Sequence, residues 1–504
     1  MNRSTLRLSC LVLIAACCVS LSVGAAEKKE DVTKRDEAYE LYKVFIDTLD
    51  QVERNYVKEV DRRQLIEAAI EGMLDKLDPY SSYIGPDQLK RFETSVESKF
   101  GGIGIQINVD RGVLTIISPL VGSPAYKAGL QAGDRVIKIE GTSTKGIRLS
   151  EAVRRLKGDA GTDVTLTVVH QSGGDPMTVT IRRKIIQVDT ILGDQRDEKD
   201  AWDFMLDDDR RIGYIRLTSF SRTTANDLRK VLKELQKQNM QGLVLDLRFN
   251  PGGLLSAAIE ISDLFVSKGR IVSTEGRNAK TRVWDAHKKN TFAGFPMVVL
   301  VNRYSASASE IVSACLQDHK RAVLMGERSF GKGSVQNVIR LEQGKSALKL
   351  TTAGYKRPSG KNIHRFAGAK DTDEWGVVPT DQYRLRLDAK ELNALSRYRR
   401  NRDVVRPHEK PSRDDPTNKK TPAVDDAKKP EAKKPETKKS EAKKPDTKKP
   451  ETPPNDKPTA DKKEPATDEP SPPAKFVDRQ LKQALDYLTT ELAKADTKED
   501  PTPK

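Results

Sequence analysis

A lysine set between two glycines, Gly331-Lys332-Gly333, follows a run of small hydroxyl and methyl residues, Ser305-Ala306-Ser307-Ala308-Ser309. A serine hydroxyl becomes a useful nucleophile when a neighbouring base takes its proton. A lysine can be that base only when neutral, so burial must bring its amine from about 10.4 down towards about 7 to 8. Phe330 and Val335 can wall the amine, Gly331 and Gly333 let the backbone close around it, and the alanines leave room for a substrate backbone to approach. The residues point to a Ser/Lys nucleophile and leave Ser305, Ser307 and Ser309 open as its serine. A serine in such a run is more often a helix cap than a nucleophile, and a Gly-Lys-Gly loop is more often a plain turn.

Other chemistries find less support. Ser329-Phe330-Gly331-Lys332 fits the Ser-x-x-Lys pattern of penicillin-binding enzymes, but no Lys-Thr-Gly or Ser-Asp-Asn element completes it. His170, His287, His319, His364 and His408 are the only histidines, and no Gly-x-Ser-x-Gly elbow accompanies them. No His/Cys/Asp spacing resembles a metal-ligand set.

The elements that must position the serine and lysine alternate strand and helix, as in an α/β core. Ile212 to Leu217 reads as a strand, and Leu243 to Leu247, Met297 to Val301 and Ala322 to Met325 are compact apolar runs of the kind that lie inside a covered sheet. They end at loops rich in Gly, Ser or Asn, among them Asn250-Pro251-Gly252-Gly253. Upstream, Leu41, Val44, Phe45, Leu49 and Val52 share one helical face, and Leu65, Ile66, Ala69, Ile70, Met73, Leu74 and Leu77 share another. Leu77-Asp78-Pro79-Tyr80-Ser81 breaks that periodicity and carries no chemistry of its own. From Phe100 the pattern changes to short strands with glycine turns.

The segment from Gly101 to about Arg183, with Gly129-Leu130-Gln131-Ala132-Gly133-Asp134 at its centre, resembles a PDZ domain of the bacterial protease type. Asn302 to Ile311, Phe330 to Gln336 and Leu245 to Gly253 together resemble the carboxy-terminal processing (tail-specific) proteases, and the resemblance runs from about Tyr42 to Tyr383. It implies a nucleophile at Ser307, a general base at Lys332 with Gln336 as its positioning partner, and an oxyanion hole from the N–H of Ala308 with that of Gly252 or Gly253. It also implies a protease core of the ClpP/crotonase type, no cofactor, and a PDZ loop, Gly101, Gly102, Ile103 and Gly104, that offers N–H groups to a peptide's C-terminal carboxylate. Expected substrates are proteins with apolar C-termini; an adaptor protein and a homo-oligomer are further partners the resemblance admits. Two positions depart from the common pattern: Tyr304 stands where many members have glycine, and Tyr80 replaces the usual histidine. The rival reading is a non-catalytic PDZ scaffold for envelope assembly.

The 504 residues carry a net charge of +16, yet no zinc spacing, helix-turn-helix or aromatic-basic signature supports a nucleic-acid partner. Arg3 and Arg7 ahead of an apolar run ending near Ala26 read as an export signal, so a bacterial periplasmic or envelope location is expected, with an uncleaved anchor or a lipoprotein at Cys17 as the variants. Cys10, Cys17 and Cys18 leave with that signal, and Cys315 reads as a small buried thiol. Residues 427–451 repeat a Lys-Lys-Pro-acid unit, which predicts a disordered linker suited to spacing or to an anionic envelope surface. Phe476, Val477, Leu481, Ala484, Leu485, Leu488 and Leu492 draw a helical stripe that should dock on the body or on a second copy. The expected order is a signal (1–26), a helical region (27–95), a PDZ domain (96–185), a protease core (186–400), the linker (401–475) and a C-terminal helix (476–496).

Overall fold

The computed structural model describes residues 37–405, residue 98 excepted, and 476–496. The signal segment with Cys10, Cys17 and Cys18 and nearly all of the Lys/Pro linker lie outside the described residues. Two helices open the chain, 37–55 and Arg62–Asp75, the second capped by Asp61, whose carboxylate accepts from the N–H of Gln64. Leu41, Val44, Phe45 and Val52 on the first helix are exposed. The proline break behaves differently from a plain helix end. Asp78 accepts hydrogen bonds from the N–H groups of Tyr80 and Ser81 and from the Ser81 hydroxyl, which turns the chain into a strand, Ser82–Ile84. That strand pairs antiparallel with Ser346–Lys356, far along the chain, Ile84 opposite Ala347, and buries Tyr83 and Ile84.

The PDZ-like segment is an antiparallel sheet ordered Ile105–Asp110, Val113–Pro119, Arg135–Ile139, Asp163–Val169, Met177–Arg182. Alternate residues such as Leu114, Ile116, Val164, Leu166 and Val168 point inwards and are fully buried, with Ala152 and Leu156 of the helix Leu149–Leu156 packed among them. Ile105–Asp110 is an edge strand, so one row of its backbone groups is unpaired within the sheet.

The α/β segment that follows holds a parallel run, Ile212–Leu217, Gly242–Asp246, Met297–Val301 and Val323–Gly326 in that spatial order. Both faces are covered, as the unbroken apolar runs require. Leu243, Leu245, Val299 and Val301 pack towards the helices Leu255–Asp263 and Ala308–Asp318. Val244, Val298 and Leu300 face the other way, onto Ala484 and Leu488 of the C-terminal helix Arg479–Asp496. The expected stripe therefore docks on the body of its own chain. A second sheet, built from Arg270–Gly276, Ala279–Asp285, Ser334–Leu341 and Ser346–Lys356, carries the lysine loop at its entrance.

Candidate active site

Strand Met297–Val301 delivers the serine run to the start of helix Ala308–Asp318. The tight turn uses most of the hydroxyls it carries. Ser305 is fully buried; its Oγ donates to the carbonyl of Leu247 at 2.8 Å and accepts from the N–H of Asn302 at 2.9 Å. Ser309, also fully buried, donates to the carbonyl of Asn250 at 2.9 Å. Ser307 stands between them, half-buried, at the helix N-terminus, where unpaired N–H groups and the positive dipole end favour an anion. Its backbone is left-handed, φ 58° and ψ −114°, a conformation that costs a non-glycine residue about 1–3 kcal/mol. The surrounding hydrogen bonds hold it there.

The chief of these is made by Glu310, three residues on. This fully buried carboxylate accepts from the N–H of Ser307 at 2.7 Å, the N–H of Lys332 at 2.8 Å, the N–H of Gly331 at 2.6 Å and the hydroxyl of Ser329 at 2.6 Å. One side chain thus ties the serine turn to the lysine loop. Burial pushes its pKa up to about 7, against the pull of those donors towards the charged form.

Lys332 is largely desolvated. Burial, with the nearby charge of Lys349, holds its amine below the ordinary lysine range, while Glu310 and Asp78 pull it back up. Its Nζ lies 4.8 Å from the centre of the Tyr80 ring. Gln336 donates its amide to Ser334 Oγ at 2.9 Å and to Thr351 Oγ1 at 3.1 Å, and Thr351 in turn donates to Asp78. The Asp78 turn and Gln336 therefore belong to one polar network, from which Tyr80 projects over the lysine. Tyr355, buried, donates its hydroxyl to the carbonyl of Lys332 and lies within hydrogen-bonding reach of the Ser307 hydroxyl. A cleft of about 200 Å³ lined by Tyr80, Arg303, Arg328, Phe330, Arg365 and Trp375 opens beside Gly331.

The Asn250-Pro251-Gly252-Gly253 loop meets the serine turn directly. The Asn250 carbonyl accepts from the N–H of Ala306 at 3.0 Å as well as from Ser309. Gly252 is pressed so close that an added Cβ would lie 2.8 Å from Ser307 Cβ and 2.9 Å from the nitrogen of Ala308. Its own N–H is donated to Asn250 Oδ1 at 2.9 Å. The N–H groups of Ala308 and Gly253 have no acceptor among the described residues.

The remaining expected residues fall elsewhere. Gly101 and Gly102 lie in a strand, Lys99–Gly102, paired with Lys184–Gln187; Ile103 and Gly104 join it to the edge strand. His364 packs edge-on against Tyr80, ring centres 6.4 Å apart, and His170 pairs with Asp134 inside the PDZ segment at 2.7 Å. Cys315 is buried and its thiol is pushed up to about 12 by burial. Among the described residues, no cluster of three His, Cys, Asp or Glu side chains could hold a metal.

Comparison with known proteins identifies the family and its domains. Residues 211–373 match peptidase family S41, residues 115–170 match a PDZ domain, and residues 18–88 match the N-terminal domain of the activating protease CtpB. A carboxy-terminal-processing protease of Bartonella bacilliformis is 41% identical over 352 residues, covering 68% of this chain and 78% of that protein. The chain belongs to the carboxy-terminal processing proteases of peptidase family S41. The carboxy-terminal processing protease CtpA of Bacillus subtilis is 38% identical over 346 residues, 68% of either chain. The solved photosystem II D1 C-terminal processing protease is 28% identical, covers 71% of this chain and 96% of its own, and aligns with a TM-score of 0.38. This chain is thus a C-terminal processing serine protease with a PDZ domain. In this protease, sequence reasoning passed over Glu310, Tyr355 and the placing of Tyr80 against Lys332. Ser307-Ala308-Ser309-Glu310 is a Ser-x-x-Glu helix-start signature and could have marked the first of these.

Proposed function

We propose that this processing protease uses Ser307 as nucleophile and Lys332 as general base, forming and then hydrolysing an acyl-enzyme. One observation carries the reading: of the three serines in the run, Ser305 and Ser309 spend their hydroxyls on backbone carbonyls, while Ser307 sits strained at a helix N-terminus and is tied through Glu310 to a desolvated lysine. Ala308 and Gly253 supply the oxyanion donors, since Gly252 has already given its N–H to Asn250. Losing one such donor typically costs about 2.7–4 kcal/mol of transition-state stabilisation. The Lys332 amine lies over the Tyr80 ring and Ser307 lies within hydrogen-bonding reach of Tyr355; a shift of the amine off that ring towards the serine, held there by Gln336, would complete the catalytic pair.

Substrate ends add to the edge strand Ile105–Asp110 beside the helix Leu149–Leu156, with the Gly101 to Gly104 turn receiving an apolar protein's terminal carboxylate. The protein works outside the cytoplasm of a bacterium, in the periplasm or envelope, where its basic linker meets anionic surfaces; an adaptor and a second copy of the chain are further partners. The test incubates a substrate ending in apolar residues with the intact protein and with its Ser307→Ala and Lys332→Ala forms. Cleavage near the C-terminus that both changes abolish is expected; cleavage that survives either one sinks the mechanism. No cleavage by the intact protein, even with tail peptide added, favours the scaffold reading.

A further inference from the structure

Arg248 is 2% exposed, and all five of its guanidinium donors are satisfied. Nε donates to Asp246 at 3.0 Å; Nη1 donates to Asp478 at 2.9 Å and to Gln480 at 2.9 Å; Nη2 donates to Asp478 at 2.8 Å and to Asp246 at 2.6 Å. Asp246 belongs to the end of the central strand, and Asp478 and Gln480 belong to the start of the C-terminal helix, beyond the linker. Asp478 also accepts from the N–H of Leu481, and Gln480 donates to the carbonyl of Leu385, so these acceptors are themselves fixed.

Arg248 opens the turn that continues through Phe249, left-handed at φ 65°, and Asn250 to Gly252 and Gly253. The same turn receives Ser305 Oγ on Leu247, and Ala306 N–H and Ser309 Oγ on Asn250. A guanidinium cannot discard its charge, so without Asp478 and Gln480 three of its five donors would be bare in the interior. The turn would have to move to wet them. We propose that the C-terminal helix is a positioning element of the active site: through Asp478 and Gln480 it holds Arg248, and through Arg248 the turn that carries the oxyanion donor and braces the serine loop. Arg248 is a positioning residue, and turnover depends on a segment that approaches no reacting atom. This rests on the reading of Ser307 as nucleophile and Gly253 as donor.

The experiment uses full-length protein carrying Asp478→Asn. Steady-state cleavage of a tail substrate and the rate at which a fluorophosphonate labels Ser307 are measured where circular dichroism reports a folded chain. Both kcat and the labelling rate should fall about ten- to a hundredfold with KM unchanged, since small misplacements at a reacting centre reach that size. Leu488→Ala, which opens a cavity under the same helix away from Arg248, should lower Tm while leaving both rates near wild type. Gln480→Ala serves as second variant if Asp478→Asn does not fold, with the same direction expected. A folded Asp478→Asn or Gln480→Ala protein with wild-type rates overturns the inference alone, provided Ser307→Ala is dead. Equal rate losses in Leu488→Ala also overturn it, since any loosening of the helix would then do. Turnover and labelling that persist in Ser307→Ala overturn the reading beneath it as well.

Discussion

Glu310 accepts four hydrogen bonds on two oxygens, and all four neighbours are donors. A charged carboxylate suits that shell and an amide does not, because its NH₂ would face two further donors. Glu310→Gln should lower kcat about a hundredfold with KM within about twofold, read by steady-state kinetics; an unchanged kcat would mean the serine turn and lysine loop keep their places unaided. The same group sets a pH dependence. Its folded pKa of about 7 lies above the ordinary glutamate value of about 4.3, so the folded state holds the proton more tightly than the unfolded chain does. The stability it contributes is fully present below about 4.3 and is lost as pH rises through about 7. Under the proposed mechanism activity runs the opposite way, since Lys332 would act as base only when neutral and Glu310 would hold its four donors best when charged. Urea unfolding and kcat measured from pH 5 to 9 should show the two trends crossing, and Glu310→Ala should flatten the stability slope. At this scale, the residue types of the serine run and the glycine-flanked lysine were legible. Which serine stays reactive was not, because that depends on which hydroxyls the turn consumes, and the acceptors on Leu247 and Asn250 lie some sixty residues away in sequence.

The Asp78 turn and its short strand act as one element. The helix ends at Asp75, Asp78 folds the turn around Pro79, and pairing of Ser82–Ile84 with Ser346–Lys356 sets Tyr80 over Lys332. A cation over an aromatic face gains about 0.5–2 kcal/mol and favours the charged amine, which opposes its use as a base. Tyr80→Leu should therefore raise the basal turnover of the isolated protease, by about two- to thirtyfold, in an assay without tail peptide; a fall would assign the ring to substrate binding. Sequence periodicity revealed the two preceding helices and the buried parallel strands of the core. It could not reveal a three-residue strand, which is too short for a period and is specified by a partner at Ala347 to Lys349. The PDZ-like sheet was legible from its glycine turns, while the open edge at Ile105–Asp110 emerges only from the pairing order.

Across the whole molecule, the C-terminal helix returns to cover one face of the parallel sheet while the Asn250–Gly253 and serine turns sit at the ends of the same strands. The stripe from Phe476 to Leu492 announced a docking helix, but its seat was beyond reach of local pattern, since Val244, Val298 and Leu300 could equally have faced another layer. Nor did the sequence suggest that Arg248, in a run otherwise read as strand and loop, would be the buried link to Asp478. All of these parts converge on the claim that Ser307 carries the substrate's acyl group once Lys332 has taken its proton. Acid-quenching the intact protease during turnover of a tail substrate, digesting it and weighing the peptides by mass spectrometry tests that claim most directly. An acyl adduct is expected on the peptide holding Ser307, lost in Ser307→Ala and Lys332→Ala alike; an adduct on any other residue, or one that forms at the normal rate without Lys332, would exclude a Ser307/Lys332 mechanism.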